Sequence, residues 1–133
     1  MRVSRSTGYA VLAVCNIAKT QGKGVVLSQS VSKAYDIPLE YLLKILQQLV
    51  RAKVLRSKRG PQGGFWLAKP ATKITMLESI EAVAGPHTSE LNLAKQARNS
   101  KYGAEVQQTY SKAISRARNV LLKTRLSNLL DGK

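Results

Sequence analysis

The amino-acid sequence predicts a mainly α fold with one small β-hairpin and a long C-terminal helix. Three observations carry that expectation. Apolar residues recur at helical spacing over most of the chain. One run alone is dense in glycine and proline, Arg59-Gly60-Pro61-Gln62-Gly63-Gly64-Phe65. Such a run marks a tight reversal between two short strands. Beyond it, apolar side chains continue at spacings of four and three toward the C-terminus.

The first helix is expected from Ser6-Thr7 to Lys19-Thr20, where Gly22 and Gly24 stop it. Tyr9, Ala13 and Ile17 form one stripe, and Val11, Val14, Cys15 and Ala18 cover much of the rest. A helix apolar on most faces packs on more than one side. Ser28 is read as the N-cap of a short second helix ending at Ala34-Tyr35. After the turn Asp36-Ile37-Pro38, a third helix is expected from Leu39 to about Lys53. Its Leu42, Ile45, Leu46 and Leu49 face the core, while Tyr41, Lys44, Gln48 and Arg51 form a polar, basic stripe. Short helix, turn and longer helix have the form of a helix-turn-helix.

The hairpin follows directly. Arg56-Ser57-Lys58-Arg59 leads in, Phe65-Trp66-Leu67-Ala68 returns, and Pro70-Ala71 closes it. This position is that of the wing in a winged helix-turn-helix. Thr75-Met76-Leu77-Glu78 is a capping box opening a fourth helix, which Gly85-Pro86 ends. Residues 87–102 are polar, without a clear period, and are read as a loop with one helical turn. From Gly103 to about Leu130 one long helix is expected. Its seam is Val106, Tyr110, Ala113, Ala117, Val120 and Thr124, widened by Ile114 and Leu121. This seam is expected to pack on the first helix of a second copy. The organisation expected is a winged helix-turn-helix domain over 1–84, an effector or cluster-type loop over 85–103, and a dimerisation helix over 104–133.

The chain has 133 residues, 22 of them Lys or Arg against 7 Asp or Glu, for a formal charge of +15. Thirteen basic and two acidic residues fall within positions 1–73. Cations concentrated there point to a polyanionic partner. No apolar run is long enough to span a membrane. The apolar stretch Tyr9–Ala18 has no convincing cleavage site, so no signal peptide is expected. One cysteine excludes an intramolecular disulfide and fits a cytoplasmic, nucleoid-associated protein. One histidine, one cysteine and few carboxylates supply no nucleophile–base pair or metal set, which argues against an enzyme.

Tyr41-Leu42, the run Arg59 to Ala68, and Ile74-Thr75-Met76-Leu77-Glu78-Ser79-Ile80 together resemble the Rrf2 family. These are dimeric bacterial winged-helix regulators of the IscR, NsrR and CymR type. The resemblance runs from Tyr9-Ala10 to the terminal helix. It implies a homodimeric transcriptional regulator, expected to act as a repressor on a palindromic operator in double-stranded DNA. Many members hold an iron–sulfur cluster on three cysteines in the loop before the long helix. Here the loop 85–103 has none, and Gly8 and Leu12 stand where relatives place a further ligand. No cofactor and no metal is therefore expected, since a cluster requires thiolates. Cys15 reads as a small hydrophobe, and the lone His87 as a surface residue. Two explanations stay open. The chain belongs to a cluster-free branch answering to a regulatory protein, a small-molecule effector or thiol oxidation. Alternatively, its ligands were replaced in a cluster-sensing regulator, with Ala97 and Ala104 at compatible spacing and Ala94 nearby.

The expected DNA contacts are Ser28, Gln29, Glu40, Tyr41, Lys44, Arg51, Lys58, Arg59, Pro61, Gln62 and Gly63. Lys44 suits guanine O6 or N7, and Glu40 suits either a cytosine amino group or its own helix N-terminus. Leu43 suits a thymine methyl or packing. Ser28 and Gln29 sit where a helix N-terminus meets phosphate. Lys58 tracks the backbone, and Arg59 suits a narrow minor groove. A basic RNA- or ribosome-associated protein would share the charge, but would carry the aromatic stacking platforms this chain lacks.

Overall fold

A computed structural model describes residues 4–20, 23–85, 92–98 and 100–131. Ser4 opens helix α1 (Arg5–Ala18) through a reciprocal capping box with Thr7. Two amides of the first turn are thereby satisfied. Ala10, Ala13, Val14 and Ile17 of α1 are buried in the core.

Helix α2 (Ser28–Tyr35) begins one residue earlier than expected. Leu27 is its N-cap, and no side chain bonds the first turn. Ser28 is therefore the first helical residue and not the cap. The cause lies across the chain: Val26 pairs with Phe65 through two backbone bonds of 2.8 Å. That pairing holds the approach extended up to Leu27. Asp36 then takes the left-handed conformation, φ 53°, which Asp tolerates better than most residues. The Ile37 amide donates to Ser32 O at 3.0 Å, and Ile37 enters the core.

Helix α3 (Leu39–Arg51) stops two residues short of Lys53. Its end is a Schellman motif without glycine. Lys53 is left-handed, φ 64°. Val54 N–H donates to Leu49 O at 3.0 Å, and Lys53 N–H to Val50 O at 3.0 Å. Val54 and Leu49 are both fully buried, supplying the apolar contact that accompanies this cap. The reversal sends the chain straight into strand β1 (Leu55–Lys58), antiparallel to β2 (Gly64–Leu67) with Leu55 opposite Leu67 and Lys58 opposite Gly64.

A 3-10 turn over Ala71–Lys73 leads to helix α4 (Met76–Ala84). The expected capping box is present: Glu78 N–H donates to Thr75 Oγ1 at 3.1 Å, and Thr75 N–H to Glu78 Oε1 at 3.2 Å. Gly85 follows at φ 82°. His87 lies outside the described residues. Helix α5 (Leu93–Gln96) is the single turn expected in the loop, and α6 spans Lys101–Lys123.

The long C-terminal helix does not run through to Leu130. Thr124 adopts extended backbone, and Thr75 pairs with Arg125 as an isolated antiparallel bridge. Met76 N–H donates to Thr124 O at 2.8 Å, and Leu126 N–H to Ile74 O at 2.9 Å. A separate helix, α7 (Leu126–Asp131), follows. Leu126 is completely buried in the core cluster, and its helix packs against α1 and the Ala71–Lys73 turn. Burying it offsets the break, since a buried leucine side chain is worth about 2 kcal/mol. The last segment thus contributes to the same hydrophobic core as α1 and α3. No helix among the described residues is long and apolar enough to cross a membrane.

Candidate nucleic-acid interface

The core face of α3 comprises Leu42, Ile45, Leu46 and Leu49, all at most 2% exposed. At 3.6 residues per turn the opposite ridge is Glu40, Lys44, Gln47 and Arg51, all exposed. The structure therefore shifts the polar stripe inferred from sequence. Gln48 is half-buried, and Tyr41 leans toward α1, its ring edge-on to Tyr9 at 5.9 Å. Gln47 takes the central place. Its signal was in the sequence, three residues after Lys44 and four before Arg51.

One shoulder of α3 and the wing enclose an open cleft of about 650 Å³. Ser28, Arg51, Lys58, Arg59 and Gly63 of the expected residues line it, together with Leu43, Gln47 and Ser57. Gln29, Glu40, Tyr41, Lys44, Pro61 and Gln62 lie outside the cleft, exposed on the flanking surface.

The wing tip is a four-residue turn. Gly63 N–H donates to Gly60 O at 2.9 Å, with Pro61 in the position its fixed φ suits. Gly60 is at φ 106°. Gly63 is buried, and any Cβ there would overlap the Lys58 carbonyl oxygen. It shapes the turn rather than offering a side chain. Gly64 has a similar constraint from outside the hairpin. A Cβ would lie 2.9 Å from Val25 Cβ, Val25 Cγ2 and Val26 O. Glycine there lets the Val25-Val26 segment close against the wing.

Two ion pairs occur among the described residues, Lys69–Glu78 at 2.9 Å and Arg118–Glu81 at 3.3 Å. Neither engages Lys44, Arg51, Lys58 or Arg59. These cations meet no carboxylate at salt-bridge distance among the described residues, so their field stays available to an anion.

The donor set does not fit an iron–sulfur cluster. The one thiol, Cys15, is half-buried on α1, and burial pushes its pKa up, with Lys19 opposing. Cluster iron needs thiolates, and this site disfavours one. Among the described residues no three His, Cys, Asp or Glu side chains converge. Ala97 and Gly103 also pack closely: a Cβ on Gly103 would lie 2.5 Å from Ala97 Cβ.

Comparison with known proteins agrees with this architecture. The family described as "Rrf2: Iron-dependent Transcriptional regulator" matches residues 3–132. The HTH-type transcriptional regulator IscR of Cereibacter sphaeroides is 40% identical over 85 residues, 62% of this chain and 55% of that protein. A Mycobacterium tuberculosis protein described as a "Putative HTH-type transcriptional regulator" is 35% identical over 89 residues, 67% of this chain and 55% of the relative. The chain thus spans about half the length of these curated relatives. Among solved structures, CymR, the global cysteine regulator of B. subtilis, superposes with a TM-score of 0.79 at 20% identity. That match covers 100% of this chain and 98% of CymR. IscR of T. potens gives 0.75 at 24% identity, covering 98% and 86%. Both likenesses show the fold. These relatives are regulators, not enzymes. With its wing, its helix-turn-helix and a match over almost its whole length, the chain belongs to the Rrf2 family of helix-turn-helix transcriptional regulators.

Proposed function

We propose that the chain is a homodimeric, cluster-free repressor that binds a palindromic operator in duplex DNA. The observation carrying this reading is the joined surface of α3 and the wing. An exposed ridge, Glu40-Lys44-Gln47-Arg51, borders a cleft whose other wall supplies Lys58 and Arg59. In this reading the ridge enters the major groove, where Gln47 suits adenine and Lys44 suits guanine. Lys58 and Arg59 follow phosphates or enter the adjoining minor groove. The first turn of α2, which has no side-chain cap, offers its amides at Ser28 and Gln29 to a phosphate.

The dimer is supported by the apolar face that α6 leaves uncovered. Val106, Tyr110 and Val120 are 44%, 55% and 65% exposed in the single chain. Leu12 of α1 is 43% exposed. Large apolar side chains left exposed along one helix in this way fit an interface. Two-fold symmetry would set the recognition helices about 34 Å apart, or a multiple of it, on the operator.

The test is Arg59→Ala, measured by fluorescence anisotropy on a duplex selected from random sequence. Weaker binding is expected, with a slope of log K against log salt shallower by about 0.9 for each phosphate that the variant no longer neutralises. Unchanged affinity and slope at matched salt would refute the wing's role.

A further inference from the structure

Tyr9 lies on α1, outside both the helix-turn-helix and the wing. Its ring packs against the core. It meets Tyr41 edge-on, with centroids 5.9 Å apart and planes at 89°. This is the favoured T-shaped arrangement of an aromatic pair. The two rings differ in freedom. Tyr9 is seated beside the buried Ala10 and Ala13, whereas Tyr41 is 41% exposed near the start of α3. A second tie joins the same helix to α2, where Asn16 Nδ2 donates to Tyr35 Oη at 3.4 Å. Tyr9 and Asn16 are seven residues apart, two turns along one face of α1. One face of α1 thus holds both helices of the helix-turn-helix through aromatic side chains.

We infer that Tyr9 is a positioning residue for DNA binding. It fixes the Tyr41 ring so that the Tyr41 phenol addresses a backbone phosphate at the flank of α3. This inference rests on the proposed duplex-binding role of α3. Tyr41 lies off the central ridge, where a side chain reaches the sugar-phosphate strand rather than a base edge. A phenol is a neutral donor with two main rotatable angles, so restraining its ring lowers the entropy cost of binding. Without Tyr9 the Tyr41 ring would keep its position in sequence and lose its direction.

The experiment is a double-mutant cycle on the full chain, using the in vitro selected duplex at fixed salt. Tyr9→Leu is expected to weaken binding about threefold to tenfold, the range an aromatic pair supplies. Tyr9→Phe keeps the ring edge and should bind as wild type. Tyr41→Phe keeps the stack, removes the phenol, and should weaken binding. Adding Tyr9→Leu to Tyr41→Phe should then cost nothing further. Ethylation interference gives a readout that general loosening would not move. Tyr9→Leu and Tyr41→Phe should both lose the signal at the same phosphate in each half-site. Should circular dichroism show Tyr9→Leu unfolded, Tyr9→Met keeps more apolar bulk and takes its place in the cycle. Wild-type affinity for the ring-deleted variant, or fully additive losses, would overturn the inference. If Arg59→Ala weakens binding while Tyr9→Leu does not, only the role of Tyr9 fails. If neither variant changes binding, the duplex-binding reading fails with it.

Discussion

Gly64→Ala places one methyl group where the structure has no room for it. The added Cβ would stand 2.9 Å from Val25 Cβ, Val25 Cγ2 and Val26 O. One of these neighbours is backbone, so rotating a side chain cannot relieve the overlap. The Val25-Val26 segment must move off the wing. That motion breaks both 2.8 Å bonds between Val26 and Phe65. Two such bonds contribute about 2 kcal/mol net. Residual strain of up to about 1 kcal/mol brings the expected loss to roughly 2–3 kcal/mol. For a chain of this size that corresponds to a Tm lowered by about 8–12 °C. The same motion displaces Leu27 and Ser28, which line the cleft between α3 and the wing. Operator affinity should therefore fall at least about tenfold, a loss of some 1.4 kcal/mol. Thermal and urea unfolding followed by circular dichroism measure the first effect, and anisotropy with a selected duplex measures the second. Stability within about 0.5 kcal/mol of wild type, together with unchanged binding, would show that the wing is not held by this packing.

The remaining expectations concern the core, the subunit interface and the thiol. Leu126→Ala removes a completely buried side chain and should cost about 2–5 kcal/mol in urea unfolding, whereas a loss below about 1 kcal/mol would show that α7 is peripheral. Val120→Glu puts a charge on the exposed apolar face of α6, and sedimentation should show a monomer that retains its helical spectrum; an unshifted dimer would place the interface elsewhere. Protein purified anaerobically with iron and sulfide supplied should show no thiolate-to-iron absorption, and such a band would overturn the cluster-free reading. Burial raises the Cys15 pKa, so the folded chain holds the thiol protonated to higher pH than the unfolded chain. Its stabilising preference is intact below the unfolded thiol pKa and is lost as pH rises through the folded value. Iodoacetamide at mildly alkaline pH should modify Cys15 several-fold more slowly in native than in denatured protein, and equal rates would contradict that burial.

Much of the fold was legible because its signals are local. The stripe Leu42, Ile45, Leu46 and Leu49 declares the buried face of α3 by spacing alone, and all four are buried. Thr75 and Glu78 declare the start of α4 by their own hydrogen bonds. The glycines of Gly60-Pro61-Gln62-Gly63-Gly64 declare a reversal because few other residues enter such backbone. The family resemblance was carried by these same runs, and the match over residues 3–132 agrees with it.

Most of what escaped sequence reading depends on partners distant along the chain. One miss is local: the Schellman end of α3 puts Lys53 in left-handed backbone with no glycine to mark it. The Val26–Phe65 pairing joins segments 39 positions apart and moves the cap of α2 from Ser28 to Leu27. The break at Thr124 goes with the Thr75–Arg125 bridge, 50 positions apart, and with the burial of Leu126 in the core. In the candidate interface, composition and spacing identified the cations and the wing. Only packing decided which of them share a cleft and that Gly63 is buried beneath the turn, whereas the place of Gln47 on the outer ridge follows from its spacing to Lys44 and Arg51. Neighbouring residues account for which segments are helical, where the chain turns and how much positive charge it carries. Contacts between distant segments decide where α2 begins, where α6 breaks and which side chains meet, since burial is a property of the assembled chain.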